Sequence, residues 1–179
     1  MLGVVERSPI FPNSFLDAGC KVGLVGGTDH FREWAPNHFC LTGFWVKEVS
    51  ADGVWEAIRN RYTIAMSDSR VAMVTRCKGA PMGETVTLAA DEPMRVSVQA
   101  SCGHNIRRIT LMRDGELLPW TEVGAKSAVL ELVDEDVSPG THWYVVTAEV
   151  DTGHGADNTG ICHASPYFVW KKKDGRHNA

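Results

Sequence analysis

The sequence predicts a mainly β chain, an antiparallel sandwich preceded by a short α/β segment, and three observations predict it. From Met94 to Ala100 the chain alternates, with Met94, Val96, Val98 and Ala100 apolar and Arg95, Ser97 and Gln99 polar. That period of two gives a strand one dry face and one wet face. Similar short runs recur after Arg70, separated by turn signals such as Asp114-Gly115 and Pro139-Gly140, the spacing expected of a sandwich. Ahead of residue 68 the pattern differs, because apolar runs there alternate with a helical stretch in the manner of a β/α fold.

The first apolar run is Lys21-Val22-Gly23-Leu24-Val25-Gly26-Gly27, which suits a strand buried on both faces. A short helical turn at Ser14-Phe15-Leu16-Asp17-Ala18, stopped by Gly19, is expected before it. From Ser50 to Arg61 the spacing is helical: Val54, Ala57, Ile58 and Arg61 fall at i, i+3, i+4 and i+7. Ser50 is placed to cap that helix, and Asp52 puts negative charge in its first turn. Beyond Ala100, Ile109 and Leu111 continue the alternation, and Asp114-Gly115 signals a two-residue hairpin that needs positive φ at both turn positions. Ala128, Leu130 and Leu132 form another inward face, followed by Tyr144, Val146, Ala148 and Val150. A last strand is expected from Cys162 to Trp170. The division read from these patterns is a partial α/β segment over 1–67, an immunoglobulin-like sandwich over 68–170, and a basic tail over 171–179 that contains Lys171, Lys172 and Lys173.

The 179 residues are 44% hydrophobic and 22% charged, an ordinary globular composition with ample material for a core. A net charge of −4 argues against a nucleic-acid surface, which needs a basic field. No run approaches the ~18 apolar residues of a membrane span, and the first residues lack the pattern of a secretion signal. The five cysteines, Cys20, Cys40, Cys77, Cys102 and Cys162, are odd in number and scattered, as expected of reduced thiols in a cytoplasmic protein.

The stretch Phe15-Leu16-Asp17-Ala18-Gly19-Cys20-Lys21-Val22-Gly23-Leu24-Val25-Gly26-Gly27-Thr28-Asp29-His30 resembles the last barrel unit of the PHP metallohydrolases, the polymerase and histidinol phosphatase superfamily. It is most similar to the CehA/McbA-like branch, which carries a C-terminal β domain. Thr42-Gly43-Phe44-Trp45-Val46, Trp55 to Thr63, Pro81-Met82-Gly83 and Ala164 to Val169 are similar in order and spacing to that branch's later elements. The resemblance implies the terminal part of a metal-dependent hydrolase, in which Asp29 and His30 help hold a divalent metal, zinc, manganese or iron. Barrel strands deliver such side chains to their C-terminal ends, and a bound ion supplies a hydroxide-like nucleophile. Two departures stand out. The family's ligand histidine falls two positions after the aspartate, where this chain has Phe31, and no His-x-His pair occurs anywhere. His38 falls at no family position and reads as a loop histidine.

A crossover unit takes about 30 residues, so the stretch ahead of residue 68 is too short for a closed barrel. The expectation is therefore a fragment or subunit of a hydrolase, inactive alone, completed by a missing barrel portion or by association into a homo-oligomer through the uncovered strand at 21–27. The reading from a different class is a non-catalytic β-sandwich module for domain docking or oligomer assembly. Three further groupings read as ordinary structure. Cys102, His104, Cys162 and His163 lack the paired spacing of a zinc site. The polar run Asp151 to Asn158 has the residues of a long hairpin loop as much as of a calcium site. Trp45, Trp55, Trp120 and Trp143 read as core or interface aromatics rather than a sugar platform. No Ser-His-Asp or phosphate-loop pattern is present.

Overall fold

The computed structural model describes residues 13–27, 40–67, 70–152 and 159–174. Its elements are α1 (Asn13–Asp17), β1 (Leu41–Phe44), α2 (Ala51–Asn60), β2 (Thr63–Met66), β3 (Val71–Cys77), β4 (Ala80–Pro81), β5 (Thr85–Leu88), β6 (Met94–Arg113), β7 (Glu116–Leu117), β8 (Thr121–Asp134), β9 (Gly140–Asp151), β10 (Thr159–Ala164) and β11 (Tyr167–Lys171). The architecture is a mainly β, antiparallel sandwich in which the pairing of β5 with β11 is parallel. One layer, sheet I, takes β4, β3, the first half of β6 and the second half of β8. The other, sheet II, takes β1, β2, β10 with β11, β5, β9, the second half of β6 and the start of β8.

The β6–β8 hairpin belongs to both layers. β8 follows β6 from the Met94↔Asp134 pair to the Ile109↔Thr121 pair. Along its other edge β6 meets β3 over Ser97–Cys102 and then β9 over Ile106–Arg113. The ladder slips register between Ser101 and Ile106 and again between Ile106 and Arg108. Irregularities of this kind bend a strand from one sheet into the next. The inward set changes parity across them, from Met94, Val96, Val98 and Ala100 to Ile106, Ile109 and Leu111, all buried. The shared core adds Ile64, Met73, Leu88, Tyr144, Val146, Ala148, Val150 and Tyr167. The alternation thus places the core as expected, with Leu130 half-buried at its rim. The run from Met94 to Ala100 and its continuation at Ile109 and Leu111 lie in one continuous β6, and the strand expected from Cys162 to Trp170 is broken into β10 and β11 at Ser165-Pro166.

The turn at Asp114 and Gly115 has φ 49 and 87, the left-handed pair that a tight hairpin requires. α2 also forms as its sequence directs. Ser50 Oγ accepts from the Gly53 amide at 3.1 Å, and Arg61 closes the helix in the left-handed conformation with its amide directed at Ala57 and Ile58. Of the apolar stripe only Ala57 is buried, while Ile58 is 41% exposed.

Three expectations are corrected. Residues 21–27 are not a strand; they run as an irregular strap with Leu24 alone buried. Their backbone is satisfied by side chains rather than by a ladder: the Leu24 amide donates to Ser165 Oγ, Thr63 Oγ1 donates to the Leu24 carbonyl, and Thr42 Oγ1 bonds both the amide and the carbonyl of Gly26. Leu16 and Leu24 pack on the outer face of sheet II against Met112, Trp143, Val145 and Phe168. The run is therefore covered by its own sandwich. Second, residues 41–66, expected within a separate α/β segment, supply β1 and β2 to sheet II through the β2–β10 ladder, because Ile64 and Met66 are needed in the core. Third, Lys171, expected in a solvated tail, lies in β11 and is buried, its Nζ donating to the Glu92 carbonyl.

Candidate functional site

The metal ligands expected from the sequence, Asp29 and His30, lie outside the described residues, as does His38. Among the described residues no group of three or more His, Cys, Asp or Glu side chains is gathered as a metal would need. The second candidate set is dispersed by strand geometry. Cys162 points into the core and is fully buried, and its neighbour His163 takes the opposite face, because successive strand side chains alternate. His104 is exposed at the β6 corner. Burial pushes the Cys162 thiol up to about 12, with Cys102 adding to the shift, and pushes Cys77 up to about 11. Both thiols stay protonated near neutral pH and are poor ligands and nucleophiles. Burial also depresses His163, to about 4, while its Nδ1 lies 2.9 Å from Thr147 Oγ1. Of the polar run 151–158, residues 153–158 lie outside the described residues.

The structure brings together a group that no sequence pattern announced. His142, opening β9, lies with Nδ1 2.6 Å from Asp114 Oδ2, and its Nε2 is 2.8 Å from the Ser138 carbonyl and 3.3 Å from Ser138 Oγ. Asp114 Oδ1 also accepts the Trp143 amide at 2.9 Å. The order Asp, His, Ser mimics a nucleophile relay, but such a relay needs Nε2 free to take the hydroxyl proton. Here Nε2 lies nearer the Ser138 carbonyl, at 2.8 Å, than Ser138 Oγ, at 3.3 Å, so the ring is not directed at the hydroxyl alone. The array is a clamp joining the β6–β7 turn to the start of β9.

The tryptophans are spread over the molecule. Trp143 is buried beneath the strap and donates its indole N–H to Asp17 Oδ1 at 2.9 Å. Trp120 is half-exposed, with the Arg108 guanidinium 4.7 Å over its ring and its N–H on Glu122. Trp55 lies on the exposed face of α2. Trp45 differs from these. It leaves β1 on the sheet II side, yet its indole N–H donates to the Met73 carbonyl of β3 in sheet I at 2.8 Å. The ring thus spans the gap between the layers while staying 40% exposed.

Trp45 separates two clefts. One, of about 700 Å³, opens between the layers at the β1 end and is lined by Leu41, Phe44, Trp45, Ile64, Met66 and Val71, with Arg70, Ser101 and Cys102 also on its wall. The other, of about 290 Å³, runs between α2 and β3 past Val46, Ala57, Val74 and Met82, with Tyr62 and Glu56 beside it. Tyr62 donates to Glu84 at 2.7 Å, and this bond together with partial burial raises the phenol above its ordinary range. Phe44, in the wall of the larger cleft, is 37% exposed. The arrangement presents an immobilised aromatic ring flanked by apolar recesses, chemistry suited to accepting apolar side chains. Arg61 and Arg70 take different parts: Arg61 is a helix cap whose Nε donates to the Gly83 carbonyl at 2.9 Å, and Arg70 stands in the wall of the larger cleft.

No helix among the described residues is long and apolar enough to cross a membrane. No family model matches the chain, and no curated protein matches it in sequence. Solved structures similar to it include the fibronectin(III)-like modules of Clostridium thermocellum CbhA, at 17% identity and TM-score 0.36, covering 55% of this chain and 96% of that one. The CARDB domain of the PF1109 protein from Pyrococcus furiosus, solved in complex with di-metal ions, is similar at 9% identity and TM-score 0.37, covering 57% of this chain and 88% of that one.

Proposed function

We propose that the chain is a non-catalytic β-sandwich module that docks another protein domain through the apolar surface around Trp45. One observation carries this reading: Trp45 is fixed by its bond to Met73 yet remains 40% exposed between two clefts. Half-exposed aromatics with a satisfied polar tip are enriched where proteins meet, because they add apolar contact at little entropic cost. The partner would present aliphatic or aromatic side chains to the larger cleft, with an acidic group near Arg70 favouring one orientation.

The test uses 8-anilinonaphthalene-1-sulfonate as a probe of the cleft, alongside a colorimetric phosphoester assay with added manganese or zinc. The native protein should enhance dye fluorescence saturably, Phe44→Lys and Trp45→Lys should abolish the enhancement, and turnover should be negligible. A dye response unchanged by both substitutions would remove the docking surface. Robust turnover that disappears in Asp29→Ala would instead restore the metal-dependent hydrolase, with Asp29 and His30 as ligands.

A further inference from the structure

A second surface, independent of Trp45, is the free edge of sheet I. β8 runs for 14 residues, with β6 along one side and, among the described residues, no strand along the other. An edge of this length offers a row of unpaired amides and carbonyls, and solitary proteins blunt such rows with proline, bulges or inward charges. The start of β8 is blunted in this way, since Gly124 takes φ 64 where the ladder is irregular. The rest, Ala125-Lys126-Ser127-Ala128-Val129-Leu130-Glu131-Leu132-Val133, contains no proline, and its two charges are Lys126, exposed near the irregular start, and Glu131, which pairs with Arg95 of β6 at 3.3 Å. Its outward side chains are Ser127, Val129, Glu131 and Val133, and Val129 is 82% exposed. The inner neighbours on that face, Gln99 and Val74 in the rows of β6 and β3, leave the valine bare on the outer side.

This segment is complementary to itself. Turned about a two-fold axis perpendicular to the sheet at Val129, two copies run antiparallel and each residue meets one of its own face. Val129 then opposes Val129, Ser127 opposes Glu131, and Ala125 opposes Val133. Lys126 opposes Leu132, so no like charges meet, which is what cross-strand pairing requires. An isologous contact of this kind closes on itself as a dimer. We infer that two copies of the chain join through their β8 edges, making one continuous sheet from the two copies of sheet I. The contact does not involve Trp45, so either surface can fail without the other.

The experiment is mild oxidation of Val129→Cys, with light scattering on the native chain and Val129→Lys. Val129→Cys should accumulate a covalent dimer well above that of the native protein with its five thiols. Glu131→Cys, displaced from the axis, should not. The native chain should carry two copies per particle at micromolar concentration, and Val129→Lys should fall to one with its thermal melt retained. A native chain that is monomeric, or a dimer that survives Val129→Lys without Val129→Cys cross-linking, would overturn the inference.

Discussion

The Trp143 indole N–H donates to Asp17 Oδ1 at 2.9 Å, tying the first described helix to the middle of sheet II. Around this bond Leu16 and Leu24 cover Met112, Val145 and Phe168. The strap is therefore a third layer over one face, held by packing at two leucines and by side-chain bonds from Thr63, Ser165 and Thr42. Leu16→Ala should cost about 2–4 kcal/mol in chemical denaturation, and Asp17→Ala about 1 kcal/mol. Removing residues 1–27 should bare the sheet and cause aggregation, measured by turbidity. A truncated chain as stable as the native one would show that the strap contributes nothing.

Asp134 is the hub of a polar cluster inside the sandwich. It accepts from Arg113 at 2.7 Å and from the Tyr144 hydroxyl at 2.9 Å, and Asp134 and Tyr144 are buried. Burial and the neighbouring carboxylate raise Tyr144 far above its ordinary value, so it remains a donor. Asp134→Ala should be expensive, about 3–5 kcal/mol, because Arg113 keeps its charge without its partner. Tyr144→Phe removes one bond and should cost about 1 kcal/mol. Equal losses for the two variants, measured by urea denaturation, would refute the assignment of Asp134 as hub.

Val98 and Gln99 are adjacent in β6 but face opposite ways, the first fully buried and the second exposed. Val98→Asp should prevent folding, since an unpaired carboxylate in the core costs several kcal/mol (of order 3 or more). Gln99→Asp should shift stability by no more than about 0.5 kcal/mol. Circular dichroism melts of the two variants decide the register of sheet I.

His163 links stability to pH. Its folded value of about 4 lies below the ordinary 6.5, so the unfolded chain takes up the proton first as pH falls. Above the ordinary value neither state binds it and the group is neutral to stability. Between about 6.5 and 4 stability should decline, by a total on the order of a few kcal/mol, and below that window the loss levels off. His163→Gln should flatten this part of the curve relative to the native chain. Parallel curves for the two proteins would show that the imidazole carries no such linkage.

Local signals were legible from the sequence and long-range ones were not. The Ser50 cap, the Asp114-Gly115 turn and the alternating Val96, Val98, Tyr144 and Val146 each depend on residues a few positions apart, and they fold as read. Lys21 to Gly27 has the composition of a buried strand but finds no ladder, because its hydrogen-bond partners come from Thr42, Thr63 and Ser165 far along the chain. The same reason hides Trp45, whose fixing contact is a carbonyl in the opposite sheet. His142 was unreadable as a clamp, since its partners are a turn carboxylate and a carbonyl. The Asp29 and His30 reading rests on resemblance and is tested by the assay above.

The β6–β8 hairpin that runs through both layers also constrains the order in which the molecule can assemble. Its contacts grow outward from the turn at Asp114 and Gly115, from Ile109↔Thr121 nearest the turn to Met94↔Asp134 at the far end, so the ladder can zip one pair at a time. Because the same two strands then template β3 on one layer and β9 on the other, neither sheet can melt while the other persists. A sandwich with separate hairpins in each layer has the option of unfolding by halves. This one should show a single cooperative transition, with hydrogen-exchange protection of β3 and β9 lost together.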